Sequence, residues 1–198
     1  MLKEPRPGRV KTRLARDIGT VAAAWWFRHQ CAALIRRLED PRWRLILAVT
    51  PDRAAAVSRA WPAPLPRIPQ GPGDLGARMA RVCRTLPPGP VCIVGADIPE
   101  IGKAHVARAF AALGRHEAVF GPAHDGGYWL IGLKRSAAVP AGFLGGVRWS
   151  GPDALADSIA SLPGARVALI DRLRDVDTGA DLRAGRGRGS GLGRAPGR

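Results

Sequence analysis

Several groups of side chains in this sequence have the types and spacing to handle a charged, oxygen-rich ligand. The first centres on Asp97 in Pro90-Val-Cys-Ile-Val-Gly-Ala-Asp-Ile-Pro99. Val91–Val94 is an unbroken apolar run, the pattern of a parallel-sheet strand buried on both faces. Gly95 and Ala96 let the chain turn without bulk, and Ile98-Pro99 ends the strand, because proline cannot donate to a ladder. Asp97 therefore stands just past a strand's carboxyl end, the edge at which open α/β sheets bind ligands. A carboxylate there can hold a divalent cation against phosphate oxygens. It can equally cap a helix predicted over Lys103–Leu113, and this segment leaves both readings open.

A second group is basic. Lys3, Arg6, Arg9, Lys11 and Arg13 crowd into a loop stiffened by Pro5, Pro7 and Gly8, just where a helix begins. Cations and free backbone N–H groups at a helix start make an anion site. The G-x-x-x-x-G-K-[ST] spacing of a Walker loop is absent. Third, Gln70-Gly-Pro-Gly-Asp74 precedes a helix for which Asp74 is the expected N-cap, and Gln70 sits where a base or sugar could be hydrogen-bonded. Fourth, His124, Asp125 and Tyr128 surround Gly126-Gly127. A tight hairpin accounts for the glycines, and the crowded polar groups suit a sugar or phosphate pocket. Last, Asp175 and Asp177 alternate on an extended backbone, so one of them can face a cleft.

Elements with clear periodicity must position these groups. A helix is predicted over Thr20–Leu38, capped by Thr20, with Val21, Trp25, Cys31, Leu34, Ile35 and Leu38 near one face. Strands are predicted at Arg44–Val49, Glu117–Phe120, Tyr128–Leu133 and Arg166–Ile170. Helices are predicted at Asp52–Ala60, from Asp74 to Leu86 with Leu75, Met79, Val82 and Leu86 inward, and at Pro152–Ser161. Trp61–Pro72 reads as a proline-rich surface loop and Phe143–Ser150 as an irregular glycine-rich segment. Thr178 and Asp181 have capping-box spacing for a last helix. The alternation of strands and helices gives one α/β domain over residues 1–183 with a mostly parallel sheet. From Ala184 to Arg198 the chain is nearly all Gly, Arg, Ser and Pro, and is expected to be a disordered tail.

Composition narrows the classes. A chain of 198 residues can build a core without staples. No apolar run approaches the ~18 residues of a membrane span, and the amino terminus lacks a signal-peptide core. Cys31, Cys83 and Cys92 have no metal-type spacing and suit a reduced, cytoplasmic protein. The net charge of +15 could attract nucleic acid or an anionic substrate. However, 27 of the basic residues are Arg and 4 are Lys, amid abundant Ala, Gly and Pro, a skew that points to GC-rich codons. Aromatics are not interleaved with the arginines in a stacking pattern, so nucleic acid is not the preferred partner.

Five stretches together resemble a family of bacterial proteins predicted to be glycosyltransferases with the glycosyltransferase-A (nucleotide-diphospho-sugar transferase) fold. They are K-x-P-x-P-G-R-V-K-T-R-L-A from Lys3, Q-G-x-G-D-L-G-x-R-M from Gln70, V-G-A-D-I-P from Val94, G-P-A-x-D-G-G-Y-W-L-I-G-L from Gly121 and D-V-D-T-x-x-D-L from Asp175. More distantly the chain is similar to nucleotidyltransferases of molybdenum-cofactor and phospholactate metabolism. The resemblance implies a Rossmann-like glycosyltransferase-A domain that uses a nucleotide-activated donor, a small acceptor and Mg²⁺ or Mn²⁺. It implies that Lys3, Arg9, Lys11 and Arg13 grip nucleotide phosphates, with Gln70 and Asp74 alongside. Asp97 would carry the metal with Asp177 or Asp175, and Asp97 and Asp125 would be the catalytic carboxylates. His124, Tyr128 and Trp149 would fall on the acceptor or sugar side. Transfer of a nucleotidyl group from a nucleoside triphosphate, and a non-catalytic nucleotide- or RNA-binding module, are the alternatives. Family members begin with an apolar strand before K-x-P, whereas only Met1-Leu2 precedes Lys3 here. The first strand is thus expected to be missing, and an in-frame apolar run to lie upstream of Met1.

Overall fold

The apolar runs become strands packed between two layers of helices. The computed structural model describes residues 1–188, and the rest of the tail expected from Ala184 lies outside the described residues. Strands β1 (Leu2–Lys3), β2 (Leu47–Thr50) and β3 (Arg67–Pro69) pair in parallel, with β2 central. Strands β4 (Val91–Val94), β5 (Ala118–Pro122), β6 (Tyr128–Leu133) and β7 (Val167–Leu169) form a second sheet in the order β4-β6-β5-β7. Strand β6 runs against both of its neighbours, while β5 and β7 are parallel.

The opening strand, expected to be missing, is present as the two residues of β1. Leu2 is buried and registers with Val49, and Lys3 registers with Thr50. The Met1 amine donates to the Val94 carbonyl at 2.6 Å, so the first residues stand between β2 and β4. Burial lowers the pKa of that amine to about 6, against the raising effect of Cys31 and Asp97.

Neighbouring residues of one strand enter different cores, as the period of two requires. Val49, Val119 and Leu130 pack on the side of Phe27, Cys31 and Leu34, whereas Ala48, Phe120 and Ile131 pack with Met79, Val82 and Leu144. The first side is built by helix α2 (Thr20–Leu38), against which α1 (Thr12–Ile18) packs, and, after the short α3 (Ala54–Val57), by α5 (Lys103–Ala112). The second is built by α4 (Leu75–Thr85) and α6 (Ala154–Ala160), and α7 (Gly179–Arg188) follows β7. Helix α7 starts on the expected box: Asp181 accepts from Thr178 N and Oγ1 at 2.9 and 2.6 Å. It runs past the boundary expected at residue 183. Among the described residues no helix is long and apolar enough to cross a membrane.

Several expectations need correction. Leu75, expected inward on α4, is 47% exposed, and the helix expected over Asp52–Ala60 shrinks to the four residues of α3. Helix α2 has the predicted span, but Gly19 holds the N-cap and Thr20 lies inside the helix. Its inward face runs through Ala24, Phe27 and Cys31, leaving Val21 and Trp25 57% and 58% exposed. Counting back from Cys31 by turns reaches Phe27 and Ala24, whereas Trp25 stands roughly 120° away around the axis. The proline-rich loop contains β3 and a buried Trp61. Strand β3 is an edge strand, where proline is tolerated, and the Arg67 guanidinium ties the loop down through the carbonyls of Ser58, Trp61 and Pro62.

Candidate active site

A cavity of about 560 Å³ opens where the carboxyl ends of β1, β2 and β4 meet the β5–β6 turn and the Asp175–Asp177 segment. That volume suits a small-molecule ligand. Asp97 lines it, three residues beyond β4, after Gly95 N makes its bond to Trp129 O at 2.8 Å. Asp97 does not cap α5. Gly102 holds that position, and its N–H donates to His105 Nδ1 at 3.1 Å. The helix-capping reading is thereby removed.

The late acidic segment is fastened alongside by a backbone bond from Val176 N to Asp97 O at 3.1 Å. Both Asp175 and Asp177 line the cavity, where strict alternation would admit one. The segment is irregular, so the strand period does not hold. Burial raises the Asp175 pKa, and the carboxylates of Asp125 and Asp177 raise it further.

Lys11 joins the acids. It occupies the N-cap of α1 with φ 47° and ψ 48°, a left-handed conformation that costs a non-glycine residue roughly 1–2 kcal/mol. Its Nζ contacts Asp177 Oδ1 at 2.8 Å, Val176 O at 2.8 Å and Asp97 Oδ1 at 3.1 Å. The two carboxylate oxygens are therefore no more than about 6 Å apart. Burial would lower the Lys11 pKa, but Asp97 and Asp177 outweigh it, and the net shift is upward. Arg13 reaches Asp177 Oδ2 at 3.0 Å from an exposed position. Of the basic loop, Lys3 and Arg13 line the cavity, Lys11 is turned inward onto the acids, and the exposed Arg9 lies outside the lining.

On the facing wall Gln70 is buried, and its amide nitrogen donates to Leu2 O at 3.0 Å and Ala48 O at 2.9 Å. These bonds tie β1 to β2 and leave no donor for a base. Asp74 caps α4 by accepting from Ala77 N at 2.8 Å, and it lies outside the lining. Arg78, four residues on, does line the cavity, and its Nε donates to Gly73 O at 2.9 Å. Sequence reasoning passed over Arg78, although it is the arginine of the same Gln70–Met79 stretch.

Asp125 lines the cavity and closes its own turn, accepting from Gly127 N at 2.9 Å. Gly126 has φ 89°, and a Cβ there would collide with the Pro152 carbonyl, so the turn needs glycine at that position. Tyr128 and Trp149 form an aromatic corner of the cavity, their ring centroids 6.5 Å apart. The Tyr128 hydroxyl accepts from Ser158 Oγ at 3.1 Å, and burial raises its pKa. The Trp149 indole N–H is buried without a partner. His124 is exposed and outside the lining. Ser150 and Gly151 join the wall, a contribution the glycine-rich segment did not reveal.

Among the described residues no three His, Cys, Asp or Glu side chains are arranged as a metal cage. Asp97 and Asp177 nevertheless share one cation, the Lys11 ammonium, which marks the seat of a positive charge. All-oxygen ligands suit a hard ion such as Mg²⁺, which typically takes one or two carboxylates and completes its shell with phosphate and water. The residues present fit such an ion.

Comparison with known proteins agrees with this architecture. A family model described as "Uncharacterized protein conserved in bacteria (DUF2064)" matches residues 33–151. Among solved structures, a putative nucleotide-diphospho-sugar transferase from Desulfovibrio desulfuricans G20 superposes with a TM-score of 0.81 at 26% identity, over 96% of this chain and 86% of that one. Rv0371c from Mycobacterium tuberculosis H37Rv matches with a TM-score of 0.54 at 17% identity, over 92% of each chain. A 4-diphosphocytidyl-2C-methyl-D-erythritol synthase from Anaerococcus prevotii DSM 20548 matches with a TM-score of 0.52 at 9% identity, over 82% of this chain and 85% of that one. The last two likenesses speak to the fold alone. No curated protein matches the chain. The fold is that of the nucleotide-diphospho-sugar transferases.

Proposed function

We propose that this chain, which belongs to the bacterial family DUF2064, is a metal-dependent glycosyltransferase that moves a sugar from a nucleoside diphosphate to a small acceptor. The observation that carries the reading is the meeting of Asp97 and Asp177 on one cation, in a cavity also lined by Lys3, Arg13 and Arg78. The likeness to the Desulfovibrio transferase supports the donor class.

In this reading Asp97 and Asp177 hold Mg²⁺ or Mn²⁺, with Asp175 beside them. Bound there, the ion neutralises charge developing on the leaving diphosphate. Lys3, Arg13 and Arg78 bind the diphosphate and add to that neutralisation. Tyr128 and Trp149 offer ring faces to the sugar and exclude water from it. Asp125, held by Gly127 N, takes the proton of the acceptor hydroxyl as its oxygen attacks the sugar carbon. The bond from that carbon to the diphosphate oxygen breaks, and nucleoside diphosphate leaves.

Incubation with a panel of nucleoside diphosphate sugars and nucleoside triphosphates, with and without Mn²⁺, tests the reading. Mn²⁺-dependent release of nucleoside diphosphate, lost in Asp97→Asn, is the expected result. Pyrophosphate release from a triphosphate would mean nucleotidyl transfer instead. Failure to bind or turn over any member of the panel would overturn both.

A further inference from the structure

The seat that the proposed reading gives to a divalent ion is already held by part of the chain. Lys11 Nζ lies 3.1 Å from Asp97 Oδ1 and 2.8 Å from Asp177 Oδ1, and its third contact, 2.8 Å from Val176 O, anchors it to the segment that carries Asp177. Its side chain is only 5% exposed, so this is not a solvated surface pair. An ion bonding both oxygens would sit ~2.0–2.6 Å from each. The oxygens flank the space the ammonium fills, so ion and ammonium cannot both have them. Nor would they tolerate one another as near neighbours, since like charges a few ångströms apart repel strongly where water is scarce.

We infer that Lys11 is the resident counter-ion of the Asp97–Asp177 pair, and that a divalent cation binds only by displacing it. The inference rests on the metal seat proposed above and adds a positioning residue to it. The metal-free protein keeps its two carboxylates together because the ammonium cancels their repulsion. The same ammonium sets a threshold that weak or scarce cations do not cross. Arg13 is a lesser competitor, because it holds only Asp177 Oδ2 and is 61% exposed. The basic loop thus acts on the metal site from within as well as facing the ligand through Lys3 and Arg13.

The test is direct titration of the nucleotide-free, full-length protein with Mn²⁺, reading free Mn²⁺ by electron paramagnetic resonance. Lys11→Met should bind Mn²⁺ about tenfold more tightly than the wild type, or better. Lys11→Arg, which keeps the charge, should show no such gain. Lys11→Gln keeps a donor for the Val176 carbonyl and should repeat the methionine result, serving where that variant unfolds. Adding Asp97→Asn to Lys11→Met should erase the gain. Equal or weaker Mn²⁺ binding in both uncharged variants, with binding retained in the wild type, overturns the counter-ion role and leaves the metal seat standing. Absence of Mn²⁺ binding in every variant overturns the seat itself and this inference with it.

Discussion

Replacing Gln70 with leucine should weaken the fold far more than it weakens ligand binding. The buried Gln70 amide donates to Leu2 O and Ala48 O, and so holds the two residues of β1 against β2. Leucine of similar length keeps the packing and deprives both carbonyls of a donor. Each buried group left without a partner costs about 1–3 kcal/mol, and a carbonyl that keeps a ladder partner falls at the low end. The expected loss is therefore about 2–4 kcal/mol. For a chain of this size 1 kcal/mol moves the melting temperature by about 2–4 °C, so a fall of roughly 4–16 °C is expected. Thermal and urea denaturation measure it, and calorimetric titration of a nucleoside diphosphate at a temperature well below the transition measures binding. A variant with unchanged melting and greatly reduced nucleotide affinity would refute the reasoning. In that case Gln70 reads the ligand, as its place before the α4 cap first suggested.

Arg78→Ala should weaken nucleoside diphosphate binding by about tenfold while leaving the melting temperature within a degree or two, because its ligand contacts are charge-assisted. Calorimetric titration beside a thermal melt checks this. Gly126→Ala should destabilise by at least about 2 kcal/mol, combining the left-handed backbone penalty with the Pro152 collision; chemical denaturation reads it. Asp175→Asn should stabilise the metal-free protein near neutral pH. Burial and the carboxylates of Asp125 and Asp177 raise the Asp175 pKa, so its ionised form is disfavoured in the folded state. A raised folded-state pKa contributes stability at low pH that is lost as pH rises through it. The asparagine advantage should therefore be full at neutral pH and shrink toward zero in acid; a denaturation series across that range would show any opposite trend.

Much of this architecture could be read from local pattern. Val91–Val94 lies between Pro90 and Gly95, and Tyr128–Leu133 runs without a charge from Gly127 to Lys134, so their limits were legible to the residue. Asp97 was legible as the first charged side chain past an apolar run. That run, expected as a parallel strand buried on both faces, is instead a largely half-buried strand antiparallel to β6 at the end of its sheet. Strand β3 was hidden because three residues of an edge strand carry no apolar period and end in a proline. The outward turn of Trp25 was hidden because a large apolar ring is expected inside, and only helix phase opposes it. Asp74 and Asp125 stood out in their motifs, yet each closes a local backbone structure, which uses the same carboxylate chemistry as ligand binding. The fate of Lys11 was beyond any local signal, since its Asp177 partner lies 166 residues away. Charge spacing placed it in a phosphate loop, and tertiary structure turned it onto the acids.

The central claim is that Asp97 and Asp177 seat a divalent ion through which a nucleotide-activated donor is held. Calorimetric titration of a nucleoside diphosphate into the wild type and Asp97→Asn, each with and without Mn²⁺, tests it most directly. Mn²⁺ should strengthen nucleotide binding to the wild type by about tenfold or more, and should leave Asp97→Asn unchanged. Nucleotide binding that ignores Mn²⁺ in the wild type, or that keeps its full Mn²⁺ gain in Asp97→Asn, would contradict the account.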